Sequence, residues 1–314
     1  MVQPLSGDVT VWPSGPTTPA VAELLRSLEF TITRRLDGML HGNVQGITPG
    51  HGTEPGESRA YQPGDDVRRI DWSVTARTNE LHVRDQIADR DLEAWLIVDT
   101  SAAMDFGTST DTKAQIALAA AAAIGFLTAR NQNRLGAVLI AGPHLRTIPP
   151  RGGRDQVRAI LRAIADHPNS VALGRSALGE AIGRVAALSK RRGFVAVISD
   201  FAGSDWRTPL ATLGIRHDLL AVVVSDQRER DLPPIGLTNF EDPSTGQIRE
   251  VMVTAQIQRR FAALAESTRD DREQAIRASR GDYLELVTDQ DWLSQIVRHV
   301  QRRKQRTTGQ MAFR

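Results

Sequence analysis

Residues 96–104 read L-I-V-D-T-S-A-A-M: an apolar run from Leu96 stops on Asp99 and passes at once into small hydroxyl and alanine side chains. A short unbroken apolar run of this kind predicts a strand buried on both faces, as in parallel α/β sheets. The carboxylate then emerges at the strand's carboxyl end, where open α/β sheets bind ligands. The pattern returns in Phe194–Asp200 (F-V-A-V-I-S-D) and in Leu219–Asp226 (L-L-A-V-V-V-S-D). Three buried strands each ending on aspartate predict a sheet with one acidic edge.

Outward from this stretch, strands are predicted at Leu81–Asp89, Leu92–Asp99 and Arg134–Ala141, with Gly142–Arg146 a turn into a further short strand. Helices are predicted over Thr112–Asn131, Gly153–Asp166, Ser176–Arg192, Asp205–Leu213 and Gln256–Arg280. Leu237–Asp242 and Ile248–Val253, joined by Pro243–Gln247, read as a β-hairpin. Tyr283–Val287 is a last strand and Asp291–Arg303 a closing amphipathic helix. From residue 92 onward, strands alternating with helices imply an α/β fold with a doubly wound, mostly parallel sheet. Upstream, residues 1–17 are a Pro-, Gly-, Ser- and Thr-rich lead-in, and Thr18-Pro19 marks a helix start followed by apolar residues at helical spacing from Val21 to Leu36. The glycine-rich stretch 41–58 lacks the preceding strand and following helix of a phosphate cradle. The expected organisation is a lead-in (1–17), an N-terminal helix with a small β-rich segment (18–90), the α/β domain (91–297) and a basic tail (298–314).

Thirty-nine basic against 37 acidic residues give a net charge of +2, but residues 298–314 hold six basic and no acidic side chains. Only three of the basic residues, Lys113, Lys190 and Lys304, are lysines, and arginine does not titrate below about pH 12. The pI of 9.4 is therefore no nucleic-acid footprint, which needs a clustered patch. No nucleic-acid partner is expected; the tail's Arg298, Arg302, Arg303, Lys304 and Arg306 leave peripheral membrane contact open. Zero cysteines exclude disulfides and thiolate chemistry. With no leader pattern and no apolar stretch approaching the ~20 residues of a bilayer span, the sequence reads as cytoplasmic.

Between Arg59 and Arg84 lies an unusual segment. Pro63-Gly64 is a type II turn signal. Asp65, Asp66, Arg68, Arg69, Asp71 and Arg77 then alternate with apolar residues that include Trp72, and Tyr61 precedes them. So many opposed charges beside a tryptophan predict forked guanidinium–carboxylate pairing, serving either as a structural clasp or as a docking surface for a partner.

Asp99-x-Ser101 resembles the metal-ion-dependent adhesion site of von Willebrand factor A domains, D-x-S-x-S with a later threonine and a strand-end aspartate. The resemblance implies a magnesium site formed by Asp99, Ser101, Ser176 in the threonine position and Asp200, since hydroxyl and carboxylate oxygens suit a hard cation. Ala103 stands where the second serine belongs, so the site is degenerate by one oxygen. Taken together, Y-Q-P-G-D-D-V-R-R-I-D-W-S-V-T-A-R (Tyr61–Arg77) and V-R-D-Q-I-A-D-R-D-L-E-A-W-L-I-V-D-T-S-A-A-M-D-F-G (Val83–Gly107) resemble a large bacterial family of unknown function. Its members carry a von Willebrand factor A-like, Rossmann-type domain and are commonly encoded beside MoxR-type AAA+ ATPases. The match covers roughly residues 35–300. It implies a non-enzymatic adaptor or co-chaperone that binds such an ATPase and a client protein, an inference by analogy.

Enzymatic readings find less support. An aspartyl-phosphate phosphatase needs a second aspartate two residues after the nucleophile, where this chain has Ser101. No G-x-G-x-x-G follows the first strand, and no G-x-S-x-G elbow or paired histidine spacing occurs. The alternatives kept are a phosphatase-like enzyme using the strand-end aspartate and a structural protein with a vestigial site.

Overall fold

A computed structural model of the chain describes residues 27–32, 58–61, 70–78, 80–84, 93–130, 133–166, 176–242 and 245–311. Residues 27–32 are helical, with Ile32 fully buried. Strand β1 (Ser58–Ala60), helix α1 (Trp72–Thr78) and strand β2 (His82–Arg84) follow, β1 and β2 pairing antiparallel. The segment expected to be β-rich thus contains a helix. Asp71 starts it, its Oδ1 accepting the backbone N–H groups of Ser73 (3.1 Å) and Val74 (3.3 Å), as an N-capping carboxylate does. Of the predicted strand Leu81–Asp89, His82–Arg84 is strand and residues 85–89 lie outside the described residues.

The main sheet begins with β3 (Glu93–Asp99). In chain order come α2 (Lys113–Arg130), β4 (Arg134–Ala141), β5 (His144–Arg151), α3 (Arg154–Ala165) and α4 (Leu178–Leu188). Then follow β6 (Phe194–Ser199), α5 (Arg207–Arg216), β7 (Asp218–Ser225), and the hairpin β8 (Gly236–Glu241) and β9 (Ile248–Val253). Helix α6 (Ala255–Ala278), β10 (Asp282–Val287) and α7 (Trp292–Met311) close the chain. The six-stranded order is β10-β7-β6-β3-β4-β5, parallel except for β5. This is the doubly wound, mostly parallel sheet expected.

Both faces are covered, which explains why β3, β6 and β7 are apolar without alternation. Leu96, Val98, Ala196 and Val222 pack against α2, α3 and α7, while Trp95, Ile97, Val197 and Val223 face α4, α5 and the end of α6. Each of the valine, leucine and isoleucine side chains among them contributes roughly 1.5–3 kcal/mol by leaving water. Helix α2 lies in the middle of its layer, Ile116–Leu127 is buried all round, and a Cβ at Gly125 would meet Val157 at 2.8 Å. Its run of alanines permits that close packing.

Two elements run longer than predicted. The expected short strand is the eight-residue β5, an edge strand that tolerates Pro149 and Pro150 because half its N–H groups have no ladder partner to serve. The closing helix continues past Arg303 to Met311. Arg303, expected in a solvated tail, pairs with Asp218 and Asp282 and lies over the Phe194 ring at 5.8 Å. Among the described residues no helix is long and apolar enough to cross a membrane.

Candidate functional site

From β3 the chain runs outward through β4 to β5, then crosses back to β6 and proceeds through β7 to β10. The order therefore reverses between β3 and β6, the switch point at which open sheets leave a crevice. Asp99 ends β3 and Asp200 follows β6 directly, so the topology brings these two carboxylates to that point; Asp226 follows β7.

Asp99 is 1% exposed. Its Oδ1 accepts the Ser101 N–H at 2.9 Å, and its Oδ2 accepts the hydroxyls of Ser176 and Ser199, both at 2.8 Å. Burial raises its pKa and the neighbouring Asp200 charge adds to the rise, opposed by the Ser101 N–H and the Ser101 and Ser199 hydroxyls. The Ser101 hydroxyl is buried beside the acid, near enough to affect it but without hydrogen-bond geometry to any described residue. Asp99, Ser101 and Ser176 thus converge as the sequence predicts. Ser199 is a fourth member that was not foreseen.

Asp200 has different company. Its Oδ1 accepts the Ala202 N–H at 3.0 Å, and its Oδ2 lies 3.1 Å from the Nζ of Lys113. That ammonium, on a residue 2% exposed at the start of α2, also reaches Glu229 Oε1 at 2.6 Å. Burial would lower the lysine's pKa, but the Asp200 and Glu229 carboxylates outweigh it and hold the pKa above the usual value. The chain turns sharply after Asp200: Phe201 has φ 54°, a left-handed conformation that costs a non-glycine residue about 1–3 kcal/mol. It is held there by its N–H to Ser199 Oγ (3.1 Å) and by its edge-on contact with Trp206.

Asp226 is buried and saturated. Its carboxylate accepts the Thr108 hydroxyl and Thr288 hydroxyl, both at 2.6 Å, and the N–H groups of Thr108 and Arg228. Burial alone would raise its pKa; these four donors lower it. Glu229 completes a capping box by accepting the Asp226 N–H at 3.1 Å. Asp226 therefore ties the loop after β3 to the ends of β7 and β10. The D-Q-R-E spelling of this box was readable; Lys113 and Ser199 carried no local signal.

These residues do not fit a divalent cation as they stand. Ala103 offers no oxygen, and both Asp99 oxygens already accept hydrogen bonds from Ser101, Ser176 and Ser199. An ammonium 3.1 Å from Asp200 already supplies the positive charge there and repels a second cation.

The expected docking set is partly placed. Trp72 is exposed at 69% and Arg77 is exposed on the last turn of α1, while Tyr61 is half-buried and its N–H donates to Leu81. Asp71 is buried as the cap of α1. Asp65, Asp66, Arg68 and Arg69 lie outside the described residues.

Fold and site together define a doubly wound α/β protein with a hydroxyl- and ammonium-satisfied carboxylate cluster at its switch point. The chain belongs to the family described as "Protein of unknown function DUF58", which matches residues 57–271. It is 46% identical over 287 residues to uncharacterized proteins of Mycobacterium tuberculosis and Mycobacterium bovis, covering 91% of this chain and 90% of theirs. Among solved structures it is similar to the conserved hypothetical protein BatB of Bacteroides thetaiotaomicron (14% identity, TM-score 0.45, 68% of this chain and 99% of that one). It is also similar to an aerotolerance-related membrane protein of Bacteroides fragilis (13% identity, TM-score 0.44, 68% of this chain and 98% of that one).

Proposed function

We propose that this chain is a cytoplasmic, non-enzymatic adaptor or co-chaperone that binds a MoxR-type AAA+ ATPase and a client protein through the switch-point edge of a von Willebrand factor A-like domain. The observation that carries the reading is the engagement of Asp99. A nucleophilic or general-base carboxylate needs a free, ionised oxygen facing a ligand; both oxygens here accept hydrogen bonds inside the protein, and burial favours the neutral form. The outward half of the edge, Asp200 with Lys113 and Glu229, is a recognition surface whose charge is fixed by a side chain. In an adhesion site the cation would do this, so the reading makes edge binding independent of magnesium.

A pull-down of the full chain from its own cell extract, with and without ATP, tests this. A co-purifying AAA+ ATPase whose retention falls with Asp200→Asn supports the reading. Release of phosphate from phosphomonoesters by the purified chain, abolished by Asp99→Asn, overturns it in favour of a phosphatase. Calorimetric titration of the isolated chain with magnesium is expected to show no saturable heat; saturable heat that disappears in Asp200→Asn refutes the metal-independent part.

A further inference from the structure

We infer that the cleft between α6 and the turn after β6 is a second binding site, built for a carboxylate-bearing apolar peptide segment of a partner protein. This goes beyond the edge reading and does not depend on which ATPase is bound. The cleft encloses about 320 Å³, room for one or two side chains rather than a cofactor. Its walls are Phe201, Trp206, Phe261 and Leu264, and Leu264 is 67% exposed at mid-helix, an apolar side chain turned to solvent.

The charges around it do not balance. Arg230, Arg269 and Arg272 converge on one carboxylate, Glu285, at 2.5, 2.9 and 3.8 Å. Arg207 lies over the Trp206 ring at 5.7 Å. The other two acids at the cleft, Asp200 and Glu229, share Lys113. Five cations thus meet three carboxylates. Arg272 spends one N–H on the Asp200 carbonyl (2.8 Å), while its Nε is buried with no acceptor among the described residues. Arg230 and Arg269 line the cleft and are 34% and 42% exposed, Arg230 also donating to Ser225 Oγ at 3.1 Å and Arg269 also lying beside Tyr283. A planar guanidinium that is part-exposed and held by Glu285 is set up for bidentate capture of an incoming carboxylate. The aromatic and leucine walls then take the apolar side chain beside that carboxylate.

The test is fluorescence anisotropy of the full chain with a fluorescein-labelled peptide of alternating Glu and Leu residues, against the same peptide with Gln for Glu. The acidic peptide is expected to bind, more weakly at high salt, and the Gln peptide not to bind. Arg269→Gln is expected to weaken binding about tenfold or more; Arg230 and Arg272 still cover Glu285, so the fold survives. Leu264→Asp, at an exposed position, keeps the fold and is expected to abolish binding by placing a like charge at the mouth. Arg249→Gln on the distant hairpin should change nothing. No binding of the acidic peptide, equal binding of the Gln peptide, or native affinity in both Arg269→Gln and Leu264→Asp overturns the inference. Arg269 and Leu264 lie outside the Asp200, Lys113 and Glu229 edge, so failure here is distinguishable from failure of the edge reading.

Discussion

Lys113→Met replaces the buried ammonium with an apolar side chain of similar length and leaves Asp200 and Glu229 without their shared counter-charge. At an effective dielectric of about 20, the gross attractions at 3.1 and 2.6 Å are each roughly 5–6 kcal/mol. Desolvation of the ions offsets much of this, and removing one partner of a buried pair costs about 3–5 kcal/mol. Glu229 is 37% exposed and can rehydrate, whereas Asp200 is 12% exposed and cannot do so freely, which places the loss near the lower figure, about 3 kcal/mol. In thermal unfolding this is a fall of about 6 °C at roughly 2 °C per kcal/mol for a chain of this length. The lysine's folded pKa is raised above 10.5, so its contribution is complete below that pH and is lost as pH rises through the folded value. The gap between native and variant should therefore be full at neutral pH and close only in strong alkali. A second substitution, Asp200→Asn, removes the stranded charge, and the double variant should recover at least about 1 kcal/mol relative to Lys113→Met alone. A single variant within about 0.5 kcal/mol of native, or a double variant no more stable than the single, refutes the internal-cation account.

Ser199→Ala removes a buried donor to Asp99 and should destabilise by about 1–3 kcal/mol in urea unfolding; the half-buried Ser176→Ala should cost less because water can replace it. Asp226 has a folded pKa below 3.8, so the stability it contributes is present above about pH 3.8 and lost as pH falls through the folded value. Asp226→Asn should accordingly lower stability at neutral pH and flatten the acid limb of the stability profile, measured by denaturant unfolding from pH 2 to 7; an unchanged acid limb would count against the threonine-bound carboxylate.

The sheet was legible because burial on both faces writes itself into sequence as apolar runs, and the aspartates marked their carboxyl ends. Ser176 could be placed from its position in G-R-S-A-L ahead of α4. What escaped was determined by pairing across distance. Lys113 meets Asp200 across 87 positions and Glu229 across 116, and a lysine at a helix start looks locally like any solvated charge. Ser199 sits inside a strand, where a lone serine reads as a neutral interruption until its hydroxyl finds Asp99. In β5, two prolines masked a strand that only an edge position permits. The α1 helix is hidden in the sequence because its cap, Asp71, sits in a run of charges, so W-S-V-T-A-R-T carries no separate start signal.

Three strands carry the same local signature, an apolar run closed by aspartate, and the fold gives the three acids different chemistry. Asp99 meets hydroxyls and a backbone N–H in a dry crevice, so burial prevails and its pKa rises. Asp226 is equally out of contact with water yet meets four donors, two of them hydroxyls at 2.6 Å, and its pKa falls. Asp200 is turned outward by the left-handed Phe201 and meets an ammonium. Burial and the neighbouring charge therefore win at Asp99, and the four donors win at Asp226. Only Asp200 combines a fixed counter-ion with access to the surface, and its backbone carbonyl is gripped by Arg272 of the adjoining cleft.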